Sequence, residues 1–385
     1  MTAAFAGLRV LDFTTTIAGP HCTRMLSDLG AEVIKIEAAE GDMMRTRPPL
    51  RKGASTSFGQ LNVGKKSVVL DLKSKAAVAA VARLAGEVDV LVENYRPGVM
   101  QRFGLDYAAI ARRNPKLVYC SISGFGQTGP SADLAAYAPV VHATSGFDLA
   151  HLAYQRGRTQ PDNCGIYIAD VLTGTYAFGA IGAALHQLKA TGKGQHLDVS
   201  MLESMLSLTL SEMQAAQFPV PPPPSRPIFG PVATGNGFIH IAVASERSFQ
   251  NLAAAAGRQD WITDPRFQKY LDRRNNWGPL MDEFEVWSKT LTNVECLAAL
   301  DKAGVPAAAY RTVKEAMADP QLAHRMAFSQ VDDAGGSFKV LNPPFRMSAS
   351  RTAAGPRVPA LGEHTREVLA SLGLSAVDIA ALVKG

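Results

Sequence analysis

The sequence predicts an α/β fold in which a large domain built on a parallel sheet is combined with a smaller α+β domain. Short apolar segments alternate with helical segments over the N-terminal third of the chain, and this order requires crossover connections between parallel strands. The chain has 385 residues, of which 47% are hydrophobic and 19% are charged. This length and composition support two domains with a sizeable core and exclude a disordered chain.

The predicted strands are short apolar runs, and the segments between them have helical composition. Because the strands of the N-terminal third are apolar, we expect helices on both faces of the sheet. A ligand is expected beyond the carboxyl ends of the strands. Strands are predicted over residues 8–13, 32–37, 68–72, 90–93, 117–122 and 237–243, and helices over 20–29, 75–85, 107–113, 170–189, 197–217 and 365–372.

Four consecutive prolines at 221–224 mark a boundary within the chain. Consecutive prolines favour an extended segment and cannot form a central strand or helix. We therefore predict a stiff linker over residues 219–231. The large domain is predicted over 1–218 and the small domain over 232–329, and residues 330–385 are expected to return to the large domain.

Charge and composition exclude several classes of protein. The formal net charge is only +5 and the basic residues are spread along the chain, which favours an anionic small molecule over nucleic acid as the ligand. We expect no signal peptide, because no basic region followed by a long apolar one begins the sequence. We expect no membrane span, because Thr and Gly interrupt the apolar run after Asp170. Cysteines at 22, 120, 164 and 296 are too far apart to suggest disulfides or zinc, and indicate a cytoplasmic protein. The histidines have no metal-binding spacing, so no metal site is expected.

A glycine pattern similar to a dinucleotide fingerprint follows the predicted strand at 117–122, with glycines at 124, 126 and 129. Pro130 comes next, at the point where the fingerprint requires a helix to begin. The first strand–helix unit also lacks the glycines. We interpret the pattern as a turn and predict no NAD site.

Asp170 precedes an apolar segment that continues to a glycine stop at 192. Apolar residues occupy nearly every side of this predicted helix, so we expect it to be buried. A carboxylate at the start of a buried helix has two interpretations. It can be an N-cap, for which Asp is among the best residues. It can also be a nucleophile that attacks an activated acyl group and forms a mixed anhydride.

Basic residues lie near the predicted strand ends. Lys65 and Lys66 precede one strand, and Arg96 and Arg102 follow another. Taken singly, each is typical of a solvated surface. Together, at the ligand edge of a parallel sheet, they could hold phosphate groups.

Eight segments, in this order, resemble the class III CoA-transferase family, which also includes formyl-CoA transferases, carnitine-linked CoA-transferases and α-methylacyl-CoA racemases. The resemblance is dense over residues 7–205 and loose beyond them. The segments are LRVLDFTTTIAGP, LGAEVIKIE, GD, LNVGKKSVVLDL, VENYRPGVMQRFG, SISGFGQTGP, IADVLTG and TGKGQHLDVSMLES.

The resemblance implies a Rossmann-like large domain, an interlocked homodimer, and an acyl-CoA thioester as substrate with no tightly bound cofactor. It implies that Asp170 is the nucleophile, forming first an acyl-aspartyl anhydride and then an aspartyl-CoA thioester. The residues implied to contact CoA are Asn94, Tyr95, Arg102 and Lys66. The counterpart of the family's glycine-rich loop is the short segment at Phe229 and Gly230, which has fewer glycines.

Two departures within the family bear on the reaction. Racemases have a histidine where this chain has Tyr137, and a phenol is a poor proton shuttle at neutral pH, which favours a transferase. Ile17 stands where formyl-CoA transferases have a glutamine that meets oxalate, and an apolar side chain there disfavours oxalate. We therefore expect transfer of CoA from succinyl-CoA, or a similar short dicarboxylyl-CoA, to a small organic acid. A 2-methylacyl-CoA racemase and a noncatalytic CoA-binding subunit of a heteromeric transferase are the alternatives.

Overall fold

A computed structural model describes residues 2–155, 157–162, 164–219, 226 and 228–384. Its strands are β1 (Arg9–Asp12), β2 (Glu32–Glu37), β3 (Leu50–Arg51), β4 (Ala54–Ser55), β5 (Lys66–Val69), β6 (Val90–Glu93), β7 (Val118–Ser123), β8 (Gln195–Ser200), β9 (Val232–Ala233), β10 (Phe238–Ile241), β11 (Ala307–Ala309), β12 (Phe328–Asp333) and β13 (Gly336–Leu341).

The helices of the first half are α1 (Ala18–Asp28), α2 (Thr56–Asn62), α3 (Lys75–Ala85), α4 (Val99–Arg102), α5 (Tyr107–Ala111), α6 (Ala138–Thr144), α7 (Phe147–Leu152) and α8 (Ile168–Thr191). Those that follow are α9 (Met201–Leu206), α10 (Leu210–Ala215), α11 (Glu246–Ala255), α12 (Tyr270–Asn275), α13 (Trp277–Ser288), α14 (Asn293–Ala303), α15 (Val313–Met317), α16 (Pro320–His324), α17 (Thr365–Ser371) and α18 (Ala376–Lys384). Short 3₁₀ helices lie at Met43–Thr46 and Gln259–Ile262.

The chain divides into two compact units. The first contains Met1–Phe147, Cys164–Thr209 and Pro320–Gly385, and the second contains Asp148–Asn163 and Leu210–Asp319. The predicted division into large domain, linker and small domain stays a prediction, and residues 220–225 and 227 of the predicted linker lie outside the described residues.

A parallel sheet organises the first unit, which confirms the predicted α/β fold. Its strand order is β5-β2-β1-β6-β7-β8, and every neighbouring pair is parallel. The register places Leu11 of β1 opposite Ile34 of β2 and Leu91 of β6. Since β1 lies inside the sheet with β2 on one side and β6 on the other, the loop that follows it emerges in the interior of the carboxyl edge.

Helices cover both faces of this sheet, and the alternation of side chains along β1 shows how. Leu11 belongs to an apolar cluster that includes Val81 of α3 and Val368 of α17. Its neighbour Val10 points to the opposite face and belongs to a cluster with residues of α1 and α8, among them Leu26. Both faces of the sheet are therefore covered by apolar side chains of the helices, as the apolar strands predict.

The prediction of one helix over 197–217 is wrong. Residues Gln195–Ser200 form the edge strand β8, which pairs with β7, and two short helices follow it. Leu197 and Val199 pack against the apolar cluster on one face of the sheet, and they alternate with the more polar His196 and Asp198. The Ser200 hydroxyl accepts the Glu203 N–H and begins α9.

The long helix α8 is less buried than its composition predicts. Ala177 and Ile181 are fully buried against the sheet, whereas Val171 is 43% exposed and Tyr176 is 46% exposed. By length and composition α8 could cross a membrane, with a mean hydropathy of 1.4, contrary to the expectation that no stretch is long and apolar enough. A helix in the core of a protein can have the same length and composition.

The second unit has its own core. Strands β9, β10 and β11 form an antiparallel sheet, and α11, α13 and α14 pack against it. The largest buried side chains are aromatic and include Trp261, Phe249 and Phe284.

Candidate active site

The first turn of α8 lies directly against the first turn of α1. Gly174 allows this approach, because a Cβ atom at that position would lie 2.4 Å from the Ala18 carbonyl oxygen. A glycine inside a helix lowers helix propensity by about 1 kcal/mol, and close contact between two backbones is the compensation. The loop after β1 and the start of α8 are thus fixed relative to each other.

Asp170 is the third residue of α8, not its N-cap. The helix begins at Ile168 and the N-cap position is Tyr167, which provides no side-chain cap. The backbone N–H groups of Ala18 and of Asp170 itself face the carboxylate and favour its ionised form. The capping interpretation is therefore wrong, although the helix dipole still favours a negative charge in the first turn.

Burial raises the pKa of Asp170 from 3.8 to about 6, while the hydrogen bonds from Ala18 and from its own backbone oppose the rise. With that pKa, roughly nine in ten carboxyl groups are ionised at pH 7. The side chain is partly exposed, so a small molecule can reach it. An ionised, poorly hydrated carboxylate is a competent nucleophile.

His21 flanks Asp170 from α1, one turn of α8 further along. Its ring packs against Gly174, and its Nε2 lies 3.4 Å from the Thr175 hydroxyl. Burial, with help from the nearby Arg24 and Lys65 charges, lowers the pKa of His21 to about 4. The imidazole is therefore neutral at pH 7 and gives Asp170 no positive partner.

His142 approaches the same turn from α6. Its ring is buried, stacks edge-to-face on Phe147, and accepts the Ala169 N–H at 3.4 Å through Nε2. It thus caps a first-turn N–H of α8, one residue before Asp170. No local sequence pattern indicates this contact.

Tyr137, predicted to assist Asp170, is the N-cap residue of α6 and is 66% exposed. The far end of α6 packs near Ala169 through His142, so the two predicted catalytic residues lie on adjoining elements. Within the described part of the chain, no hydrogen bond joins the Tyr137 phenol to the Asp170 carboxylate.

Three of the residues implied to contact CoA lie close together after β6. Asn94 exchanges two hydrogen bonds of 2.8 Å with the backbone of Thr15, as acceptor from its N–H and as donor to its carbonyl. Tyr95 donates its N–H to Glu93 at 2.9 Å, and burial raises the pKa of its phenol to about 12. Arg102 ends α4 and is exposed.

Lys66 lies elsewhere, so its expected place at the ligand edge is wrong. It begins β5 and is therefore at the amino edge of the sheet. Its ammonium is paired with Glu32 at 2.5 Å and Glu367 at 2.8 Å. In a parallel sheet, residues that precede a strand lie at the amino edge, and residues that follow a strand lie at the carboxyl edge.

The three residues predicted to meet substrate are in different surroundings. Ile17 is the N-cap residue of α1, and its side chain is 6% exposed within an apolar cluster that includes Met44 and Phe58. Phe229 and Gly230 belong to the second unit. The exposed Phe229 ring stacks on His240 with the ring centres 6.3 Å apart.

The comparisons with known proteins identify the class of protein. A CaiB/BaiF family protein from Brucella suis has the same fold, with a TM-score of 0.83 and 32% identity over 97% of this chain and 100% of that one. The sequence profile of CoA-transferase family III matches residues 5–365. The chain belongs to this family and is a CoA-transferase.

Two characterised relatives are similar over almost their whole length. The succinyl-CoA–D-citramalate CoA-transferase of Chloroflexus aurantiacus is 35% identical, with 97% of this chain and 96% of the relative covered. The succinate–glutarate CoA-transferase of Agrobacterium fabrum is 32% identical, with 95% of each covered. The predicted class, read from the eight sequence segments, is therefore confirmed.

Proposed function

We propose that this CoA-transferase moves CoA from succinyl-CoA, or a similar short dicarboxylyl-CoA, to a small organic acid by a covalent relay through Asp170. The observation that carries the proposal is a mostly ionised, partly buried carboxylate in the first turn of α8, hydrogen-bonded by the Ala18 N–H. The names of two relatives, which refer to succinyl-CoA or succinate, support the donor.

The relay has four steps, and each moves one acyl group. The Asp170 carboxylate attacks the donor thioester, its C–S bond breaks, and CoA thiolate leaves an acyl-aspartyl anhydride. The thiolate attacks the aspartyl carbonyl and releases the donor acid, giving aspartyl-CoA. The acceptor carboxylate attacks aspartyl-CoA and expels the thiolate again. The thiolate then attacks the acceptor carbonyl of this second anhydride, and Asp170 leaves as a carboxylate.

None of these steps transfers a proton, and the surroundings of Asp170 suit that chemistry. His21, with its pKa of about 4, is a poor base or acid at neutral pH. A racemase must remove and return a proton at carbon, so this neutral histidine argues against the racemase alternative.

The Ala18 N–H is the proposed donor to negative charge at Asp170. In the resting enzyme it bonds the carboxylate. When thiolate or acceptor attacks the aspartyl carbonyl, negative charge develops on an oxygen of the same side chain, and a fixed N–H stabilises it. Removing one such donor in other enzymes costs about 10²–10³ in rate.

Tyr95 and Arg102 are the proposed CoA contacts in the first unit. The raised pKa of Tyr95 keeps its phenol protonated, so it can donate to a phosphate or ribose oxygen. The exposed Arg102 guanidinium can bind a phosphate in a bidentate manner. We leave Lys66 out because its ammonium is held by two glutamates.

A homodimer is part of the proposal, and so is a cytoplasmic location. Large apolar side chains are exposed near the first turn of α8, including Tyr137, Ile166, Tyr167 and Val171. Exposed patches of this kind mark protein interfaces, and a second copy of the chain is the occupant that the family implies. The four cysteines are free thiols, as in a reducing compartment.

Intact-protein mass spectrometry tests the relay. The full chain is incubated with succinyl-CoA and trapped with hydroxylamine or borohydride, and Asp170→Asn is treated in parallel. We expect an adduct on the peptide that contains Asp170 in the wild type and none in the variant. Turnover by Asp170→Asn would overturn the nucleophile, and α-proton exchange in deuterated buffer without transfer would favour the racemase.

A further inference from the structure

The backbone that carries the Ala18 N–H is under conformational strain. Residues 14–17 lie in the connection between β1 and α1, and Thr16 in this segment has a φ of 69°. A left-handed conformation is costly for a β-branched residue, by about 1–3 kcal/mol, and persists only where surrounding contacts impose it. The segment therefore needs an external restraint.

Asn94 supplies that restraint from the end of β6. Its carboxamide accepts the Thr15 N–H and donates to the Thr15 carbonyl, both at 2.8 Å. Hydrogen bonds to both the N–H and the carbonyl of one residue fix the position and the orientation of its backbone, as they do between paired strands. No other described side chain bonds both backbone groups of a residue in this segment.

Buried charges hold the residues on either side of Thr15. The fully buried Lys35 ammonium donates to the Thr14 carbonyl at 2.6 Å and pairs with Asp42 at 2.9 Å. Asp42 in turn accepts the Thr16 N–H at 3.4 Å. Asp12 accepts the Thr14 N–H at 2.8 Å and is paired with the buried Lys65.

This lysine–aspartate network has two positive and two negative charges, so burial leaves no uncompensated charge. The network bonds Thr14 and Thr16, whereas Asn94 bonds Thr15 between them. The network is needed for folding as well, because removing one partner of a buried pair is strongly destabilising. Asn94 is uncharged and partly exposed, which makes it the residue to test.

We propose that Asn94 is a positioning residue, which holds residues 14–17 so that the Ala18 N–H reaches the Asp170 carboxylate. The inference rests on the proposed function of Asp170. The family resemblance implies that Asn94 contacts CoA directly. The positioning role proposed here is a different one. Asn94 acts through Thr15 and Ala18 and touches no reacting atom.

The role has a signature that a merely structural residue would not show. The Ala18 hydrogen bond opposes the upward shift of the Asp170 pKa. If the segment moves, that opposition is lost and the Asp170 pKa rises further. The titratable groups that face this turn, His21 from α1 and His142 from α6, are unchanged by substitution of Asn94, so the difference between variants reports on Ala18.

The test compares Asn94→Ala with Asn114→Ala in the full chain. Asn114 is a matched control, because its amide also pins a loop of the first unit, donating to the Val88 carbonyl at 2.8 Å at the amino edge of the sheet. Three quantities are measured: kcat/KM for succinyl-CoA against pH, the Kd for CoA alone, and the titration of the Asp170 carboxyl by ¹³C NMR, assigned with Asp170→Asn.

We expect Asn94→Ala to lower kcat/KM by about 10–100-fold, as the loss of a positioned group does. The Asp170 titration and the acid limb of the pH profile should both move to higher pH, by about half a pH unit or more. The Kd for CoA should stay within about threefold of wild type, and Asn114→Ala should leave all three quantities nearly unchanged.

An unmoved Asp170 titration in a folded Asn94→Ala overturns the inference, and so does a Kd for CoA that rises in parallel with the loss of activity. The NMR titration needs no substrate, so it does not depend on the choice of donor. Absence of an Asp170 adduct in the wild type overturns the proposed function instead. The two failures are therefore distinguishable.

Discussion

The backbone N–H of Ala18, at the start of α1, faces the carboxylate of Asp170, in the first turn of α8, and lowers its pKa. The two residues come from different segments of the first unit, and the glycine at 174 lets their helices meet. This contact joins the parallel sheet to the proposed chemistry, because α1 continues directly from the loop after β1.

Asp170→Ala should abolish CoA transfer and leave the chain folded. The carboxylate is the group to which the acyl group and then CoA are attached, so its loss removes the whole relay. Steady-state assays with succinyl-CoA and a panel of small acids measure the effect, and circular dichroism checks the fold. Retained turnover in a folded variant would show that another residue is the nucleophile.

Activity should depend on pH through the ionisation of Asp170. Because only the carboxylate attacks and its pKa is about 6, kcat/KM should rise about tenfold per pH unit below that value and level off above it. A pH profile over about 4.5 to 8 measures the limb. A flat profile across pH 6 would contradict the raised pKa.

The same shift makes a prediction for stability. The native state holds a proton on Asp170 up to about pH 6, whereas the ordinary pKa is 3.8, so the unfolded state binds fewer protons between these values. Stability should therefore fall as pH rises through this window. Asp170→Asn removes the charge and should raise the free energy of unfolding at pH 8 by about 1–3 kcal/mol, with little effect at pH 4.

Urea denaturation of both proteins at the two pH values measures this difference. Destabilisation by Asp170→Asn at pH 8 would mean that the hydrogen bonds to the carboxylate outweigh the cost of its burial. An equal change at both pH values would show that ionisation of Asp170 is not the cause.

Gly174→Ala should separate α1 from α8. Its methyl group would lie 2.4 Å from the Ala18 carbonyl oxygen, so one helix must move. We expect a loss of about 1–3 kcal/mol in stability and at least a tenfold loss of activity, since the Ala18 N–H moves with the helix. Thermal unfolding and kcat/KM measure the two effects.

Gly182→Ala is the control on the same helix. A Cβ atom there meets nothing within 4 Å in the described chain. Alanine is the better helix former by about 1 kcal/mol, so this variant should be neutral or slightly stabilised. Its oligomeric state should be measured by light scattering, because α8 borders the proposed dimer surface. Equal losses in both variants would show that the helix, and not the contact with Ala18, is sensitive.

Tyr137→Phe should lower the rate of transfer without changing the affinity for CoA. The phenol is exposed at the N-cap of α6, the helix that contacts Ala169 through His142, and we propose that its hydroxyl contacts an acyl group bound at Asp170. Steady-state kinetics and calorimetry with CoA separate the two effects. An unchanged rate would reduce Tyr137 to a packing residue.

The sequence predicts the sheet well and the edge strand poorly. The bounds of β2, β6 and α3 agree with the prediction, because β2 and β6 are rich in β-branched apolar residues and α3 is rich in alanine. β8 was predicted as a helix, because a strand covered on only one face has polar residues at alternate positions and a short one is easily mistaken for an amphipathic turn.

The candidate site was likewise predictable from the sequence only in part. Asp170 is recognisable from an acid before an apolar helix and from the family resemblance. The contributions of Ala18 and of the Asn94–Thr15 pair depend on contacts between elements distant in sequence, and no local pattern indicates them. The misplacement of Lys66 has a simpler cause, since the direction of the chain already assigns a residue before β5 to the amino edge.

The backbone contact at Gly174 has a consequence for how the family can diversify. Because the backbones of α1 and α8 meet directly at Ala18 and Gly174, the spacing between the acid and its N–H donor is fixed by the packing of two helices. A change of acceptor acid therefore cannot be accommodated by adjusting this pair. New specificities have to arise in the residues that surround this pair, so that enzymes acting on different acids can share one unaltered reaction centre.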